Sequence, residues 1–188
     1  MLTTPNGDAY ADTGPGWSPD GTKILFSRWS FSDPGELFVI PAAGGTPTSL
    51  HVRADRAAWG PSRIAYVANF SRPASLWTAL PGGGDRQKMA EGSGDAALGD
   101  PAWSGDGRLA CAVGRAGAIV IVSAGAKLRL QLPFVEIASL GWSPDGTRFV
   151  VVGLTKDSAA YDVYTVRTDG TGLRRLTHDV EAYWASWR

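Results

Sequence analysis

The chain has 188 residues, 44% of them apolar and 19% charged, a globular rather than a disordered composition. Lys plus Arg equals Asp plus Glu at 18 each, and a formal net charge of zero argues against nucleic acid as a partner, since phosphate binding needs a basic surplus. The single cysteine, Cys111, rules out an internal disulfide or a Cys-based metal cluster, no stretch approaches membrane-spanning length, and the opening MLTTPNGDAY lacks the charged-then-apolar pattern of a secretory signal.

The elements repeat. Trp17 opens WSPDGTKILFS, Trp59 opens WGPSRIAYVA, Trp103 opens WSGDGRLACAV and Trp142 opens WSPDGTRFVVV. A last copy starts with Trp187 in ASWR, so the tryptophans stand 42, 44, 39 and 45 residues apart. That period is the length of a four-stranded propeller blade. In the first unit (14–50) a short strand ends at Trp17, and Ser18-Pro19-Asp20-Gly21 makes a turn. Serine bonds back to the backbone, proline presets φ and glycine takes the left-handed exit. The strands KILFS and ELFVI follow, with AAGG at 42–45 as the next hairpin.

The second unit (57–90) reads RIAYVA, SLWTAL and then GGG at 82–84; the third (101–132) reads RLACAV and AIVIV. The fourth (139–177) reads RFVVV, YDVYTV, DGTG and LRRLT, and 182–188 is a partial fifth. Second strands apolar on both faces suit a position between neighbouring blades. Phe38, Trp77, Val120 and Tyr164 fall at one place in the third strands. From Trp103 to Leu109 is six residues where Trp17 to Ile24 is seven, so an altered turn or bulge is expected at Gly105-Asp106-Gly107.

WSPDGTKILFS, an ELFVI-type strand and LRRLTHD together resemble the TolB-like, WD-repeat-related β-propeller family over about residues 14–188. The resemblance implies an all-β propeller of four four-stranded antiparallel blades plus the inner strand of a fifth. The motif speaks for the fold and is nearly silent about activity. It implies a periplasmic or other extracytoplasmic setting, and nothing here resembles TolB's separate N-terminal domain.

Few residues offer chemistry. Asp20, Asp106 and Asp145 read as caps of their own turns, since a calcium loop needs several oxygen ligands and each turn has one carboxylate. Ser18, Ser104 and Ser143 lie between two strands, not in a strand-to-helix nucleophile elbow. His51 and His178 are placed after outer strands, at their loop ends, with no triad neighbours. Cys111 reads as a small core residue. GGGD at 82–85 has no helix to present to a phosphate. Trp17, Trp59, Trp103, Trp142 and Trp187 recur with the repeat and read as blade-packing anchors, leaving Trp29 and Trp184 as candidates for exposure.

One set of carboxylates precedes the first strands: Asp12, Asp55, Asp100, Glu136 and Glu181. In a propeller these outer-to-inner loops share the channel-mouth face. The residues either recognise a cation or basic partner segment there, or cap the turns that enter each inner strand. No metal site and no cofactor is expected. The sequence points to a non-catalytic scaffold that binds a protein or peptide on a channel-mouth face. The alternative is the gating or substrate-binding propeller of a larger hydrolase, such as a prolyl-oligopeptidase-like peptidase, or of a polysaccharide lyase. LTT at 2–4 resembles an outer-strand tail and YWASWR an inner strand, so the ring is expected to be completed either by more blades in a longer parent chain or by a homodimer joined through open propeller ends.

Overall fold

Each tryptophan closes its strand because the residue after it turns the chain back on itself. In a computed structural model, which describes residues 11–30, 33–68, 73–92, 97–178 and 181–187, the backbone N–H of Ser18 donates to Lys23 O at 2.9 Å. Gly60 does so to Arg63 (2.8 Å), Ser104 to Arg108 (2.9 Å) and Ser143 to Arg148 (2.9 Å). The preceding tryptophan then falls opposite the first apolar residue of the next strand in every unit: Trp17 with Ile24, Trp59 with Ile64, Trp103 with Leu109 and Trp142 with Phe149. The unequal spacings are absorbed inside the turn. The shorter loop at 105–107 closes over four residues instead of five, and the bulge in that ladder lies further on, between Cys111 and Val113.

Among the described residues, sixteen strands form four antiparallel sheets of four, each in chain order. Blade 1 holds β1 (Ala11–Trp17), β2 (Lys23–Ser30), β3 (Asp33–Pro41) and β4 (Thr48–Arg53). Blade 2 holds β5 (Arg56–Trp59), β6 (Ile64–Ala68), β7 (Ser75–Ala79) and β8 (Gln87–Glu91). Blade 3 holds β9 (Leu98–Trp103), β10 (Leu109–Val113), β11 (Ala118–Ser123) and β12 (Ala126–Gln131). Blade 4 holds β13 (Glu136–Trp142), β14 (Arg148–Leu154), β15 (Asp162–Arg167) and the two-residue β16 (Arg174–Arg175). Phe38, Trp77, Val120 and Tyr164 do share one register, each opposite the second-strand residue two beyond the one that faces the tryptophan.

The core lies between the sheets, and strand alternation distributes it. Ile64 and Tyr66 of β6 join Leu25, Leu37 and Val52 of blade 1, while Ala65 and Val67 join Leu98, Cys111 and Val113 of blade 3. Ala110 and Ala112 of β10 face the other way, onto Phe149, Val151 and Tyr164 of blade 4. Packing therefore runs from blade 1 to 2, 2 to 3 and 3 to 4.

Several expectations are corrected. Trp17 is not a buried anchor: it points, with Ile24, away from blade 2 and is 62% exposed, whereas Trp142 is 7% exposed. Trp59 and Trp103 are half-buried, and Trp187 is 38% exposed. Trp29 and Trp184 are exposed as expected. His51 lies within β4, at φ 53° where that ladder is irregular, and not beyond the strand. Ala182–Trp187 has the place of a fifth inner strand but joins no sheet. The LTT tail lies outside the described residues.

Candidate binding face at the entry ends of the inner strands

The inner strands start at one end of the blades. Leu98 of β9 pairs with Val113 and Glu136 of β13 with Leu154, so the β10–β11 and β14–β15 loops share that end. Asp12 and Asp100 sit inside β1 and β9 because these strands begin earlier than the repeat suggested; Glu136 is the first residue of β13. Asp55 lies between β4 and β5, and Glu181 lies outside any strand at φ 49°.

Each of these carboxylates has an intramolecular partner. The Arg28 guanidinium grips Asp12 with two bonds, Nε to Oδ1 at 2.7 Å and Nη2 to Oδ2 at 2.9 Å, and lies over the Phe26 and Phe38 rings. Arg56 ties blade 2 to blade 3: its Nη1 donates to Asp100 Oδ1 at 3.0 Å, and its Nε stands 3.9 Å from Asp55 Oδ2. Glu136 is bound to the Tyr161 hydroxyl, whose pKa is raised by burial first and by that bond second. The Tyr183 hydroxyl donates to Glu181 Oε2 at 3.3 Å. The structure joins Asp55 and Asp100 through one arginine, and holds the others on separate partners. Among the described residues no group of His, Cys, Asp and Glu has a metal-binding arrangement.

The same end opens a cleft of 650 Å³ between blades 3 and 4, lined on one side by Arg115 and Ala116 and on the other by Thr155, Lys156 and Asp157. Its floor is the apolar loop Leu132-Pro133-Phe134-Val135, which leads from β12 into β13. The loop is pinned by backbone bonds at both ends: Leu132 N–H donates to Gly117 O at 2.9 Å and Val135 N–H to Leu154 O at 2.7 Å. Gln131 Nε2 adds a bond to Ala116 O at 2.8 Å. Two glycines let the loop sit this deep. The Phe134 carbonyl lies directly on Gly117 (φ 59°), and a Cβ on Gly153 would stand 2.7 Å from the Phe134 ring. Phe134 is thereby buried edge-on against Tyr164, ring centroids 4.9 Å apart, while Val135 remains 43% exposed in the cleft. Neither Arg115 nor Lys156 forms an ion pair with a described residue.

Sequence reasoning missed this cleft because its floor lies between repeat units. The available signal was LPFVE at 132–136, an apolar run where the other units place polar connections.

At the opposite, turn end the hydroxyls of Ser18, Ser104 and Ser143 are engaged by the aspartates of their own turns. Ser18 and Ser143 donate to Asp20 and Asp145 at 2.6 Å, and Ser104 donates to Asp106. Those bonds, with Thr22 and Thr147 N–H on Asp20 and Asp145, hold both carboxyls at about 2; for Asp106 the leading cause is Arg108. These three carboxylates cap their own turns as expected. Cys111 is buried, and desolvation pushes its thiol up to about 12, the reverse of an activated nucleophile. Ser49, His51 and Glu36 lie close together, but the serine hydroxyl donates to Glu36, leaving the solvent-facing imidazole unsuited to activating it.

No protein-family model matches the sequence, and no curated protein matches it. Solved structures do. TolB of Acinetobacter baumannii superposes with a TM-score of 0.70 at 17% identity, over 89% of this chain and 44% of that one. A TolB-type protein of Agrobacterium tumefaciens gives 0.74 at 20%, over 92% and 63%. A puromycin-hydrolyzing peptidase of Mycobacterium tuberculosis gives 0.67 at 17%, over 92% and 30%, and an oligogalacturonate lyase in complex with manganese 0.64 at 13%, over 94% and 55%. The chain is thus structurally similar to TolB β-propellers, and it spans less than two thirds of either TolB chain.

Proposed function

We propose that this β-propeller is a non-catalytic scaffold that binds a protein or peptide segment at the entry face, in the cleft between blades 3 and 4. The observation that carries this reading is the cleft itself: a pinned apolar floor, an exposed Val135, and two cations, Arg115 and Lys156, that form no ion pair with a described residue. An apolar surface with a few charged groups at its rim suits a side chain flanked by peptide backbone. Elsewhere on the entry face the carboxylates hold the scaffold and not the cleft: Asp12 orients Arg28 within blade 1, and Asp55 with Asp100 locks Arg56 across blades 2 and 3. Resemblance to TolB supports a periplasmic or extracytoplasmic setting, which cell fractionation tests.

Panning a random peptide-display library on the 188-residue chain tests the reading. Enriched peptides are expected to lose at least tenfold in affinity on Val135→Asp or on the Arg115→Glu, Lys156→Glu double variant, about 1.4 kcal/mol or more. Peptides indifferent to both changes would place the site elsewhere, and a library that yields none would remove the reading. A second reading has its own support, the similarity to a peptidase of which this fold covers 30%. In that case the propeller gates a catalytic domain, and a G-x-S-x-G domain in the same reading frame decides for it.

A further inference from the structure

One position of the second strands departs from the repeat. The residue opposite the shared third-strand place is Phe26 in blade 1, Cys111 in blade 3 and Val151 in blade 4, but Tyr66 in blade 2. Tyr66 is 5% exposed, yet its hydroxyl bonds to no described residue. A buried phenol ordinarily finds a partner. Burial raises its pKa and the Arg86 charge opposes that rise, so the hydroxyl keeps its proton at neutral pH and lies in the field of the guanidinium.

Tyr66 lines a groove of 280 Å³ between blades 1 and 2. Strand alternation points Tyr66 and Ala68 of β6, with Ser75 and Trp77 of β7, to one face of blade 2. That face meets Val52 of β4, the outer strand of blade 1. Ala68 and Ser75 are small, and beside Tyr66 and the half-buried Trp77 they leave the face hollow. Arg86 enters from the turn before β8. Its Nε donates to Gly83 O at 3.0 Å and its Nη2 to His51 O at 2.7 Å, which fixes the guanidinium across the two blades. Its Nη1 bonds to no described residue, and Ser75 Oγ makes only a 3.5 Å contact with Pro73 O. The lining carries two arginines, Arg53 and Arg86, and among the described residues no carboxylate.

We infer that this groove binds a small aromatic carboxylate, the Tyr66 hydroxyl and Arg86 Nη1 donating to its two oxygens and its ring lying against Trp77 and Val52. A fixed guanidinium beside a protonated hydroxyl matches the paired acceptors of a carboxylate. The indole and valine faces give the ring an apolar place. The volume lies below that of drug-sized pockets, which limits the ligand to about one ring. Both walls belong to blades whose four strands are all paired, and the groove is independent of the cleft between blades 3 and 4. Either site can fail without the other.

Benzoate is the probe, titrated into the intact chain and followed by its amide, indole and guanidinium Nε–H resonances. It is expected to bind saturably and to shift the Trp77 indole and Arg86 Nε–H signals. Acetate, which lacks the ring, and benzyl alcohol, which lacks the charge, should each bind at least tenfold more weakly. Tyr66→Phe keeps the ring and removes the donor, and should weaken benzoate about fivefold or more; Arg86→Gln should weaken it at least tenfold. Because Arg86 also holds two backbone carbonyls, Tyr66→Phe decides if Arg86→Gln lowers the melt. Absence of saturable binding overturns the proposal, as does binding that leaves Trp77 unshifted or is indifferent to Tyr66→Phe. Acetate or inorganic phosphate binding as tightly as benzoate also overturns it, in favour of a plain anion site.

Discussion

Residues 16–22 and 141–147 spell the same heptapeptide, GWSPDGT, and the two copies share a turn but not a fate. Ser18 and Ser143 each bond their aspartate at 2.6 Å and accept the following backbone N–H, of Lys23 or Arg148, at 2.9 Å. The tryptophans diverge completely. Trp142 gives its indole N–H to Ala102 O at 3.0 Å, sits 4.7 Å below the Arg108 guanidinium and packs on Phe149 at 4.4 Å. Trp17 faces away from blade 2 and is mostly solvent-exposed. A turn is made by its own atoms; a buried anchor is made by the blade in front of it.

The largest test of that difference is a pair of truncations. Trp142→Ala should cost about 3–5 kcal/mol, because it opens a cavity between blades 3 and 4 and removes the indole bond to the Ala102 carbonyl. Trp17→Ala should cost less than about 1 kcal/mol, as an exposed position does. Denaturant midpoints at unchanged m-value measure both. Equal costs would mean that Trp17 is covered in solution, and the contrast between the two ends would collapse.

What the sequence made legible follows the same division. The four sheets, their strand order and the shared register of Phe38, Trp77, Val120 and Tyr164 could be read, because turn chemistry and strand alternation are written within about ten residues. Burial of Trp17 was misjudged because the repeat records what a residue does in an interior blade, not whether a neighbour exists. At the candidate site, the position of the acidic residues near the strand entries was legible. Their pairing was not: Arg56 lies 44 residues from Asp100, and nothing local links them. The cleft was missed for another reason, although the apolar run at 132–136 marked its floor. Its floor depends on Phe134 meeting Gly153 and Gly117, contacts that no repeat position specifies.

A smaller test concerns the serines, where the two copies should agree. Ser18 and Ser143 are both nearly buried, and each accepts a backbone N–H that would otherwise lack a partner. Alanine at either place should cost about 1–2 kcal/mol, the usual consequence of orphaning one such donor. The two values should match within about 0.5 kcal/mol, since neither bond involves a neighbouring blade. A marked excess at Ser143 would show that the turn is supported by blade 3, where Arg108 reaches across to the Gly146 carbonyl at 2.7 Å.

The smallest effect separates that cross-blade contact from the turn itself, through acid titration. Asp20 and Asp145 are held at about 2 chiefly by their serine hydroxyls, Asp106 at about 2 chiefly by Arg108. A carboxyl whose folded pKa lies below its unfolded value of about 4 stabilises the fold fully above that value. The contribution is lost as pH falls from about 4 through 2, when the folded form also takes up the proton. Carboxyl chemical shifts followed through this window should therefore show three low midpoints. Arg108→Gln should raise that of Asp106 alone, and Ser143→Ala should raise that of Asp145 alone. Because Arg108 also stacks on Trp142, the first variant should weaken the interface between blades 3 and 4 as well, whereas its counterpart Lys23→Gln in blade 1 should leave the Asp20 midpoint and the melt unchanged. A shift of Asp145 on Arg108→Gln would mean that the two turns titrate as one unit, and that the fourth turn, unlike the first, is not set by its own residues alone.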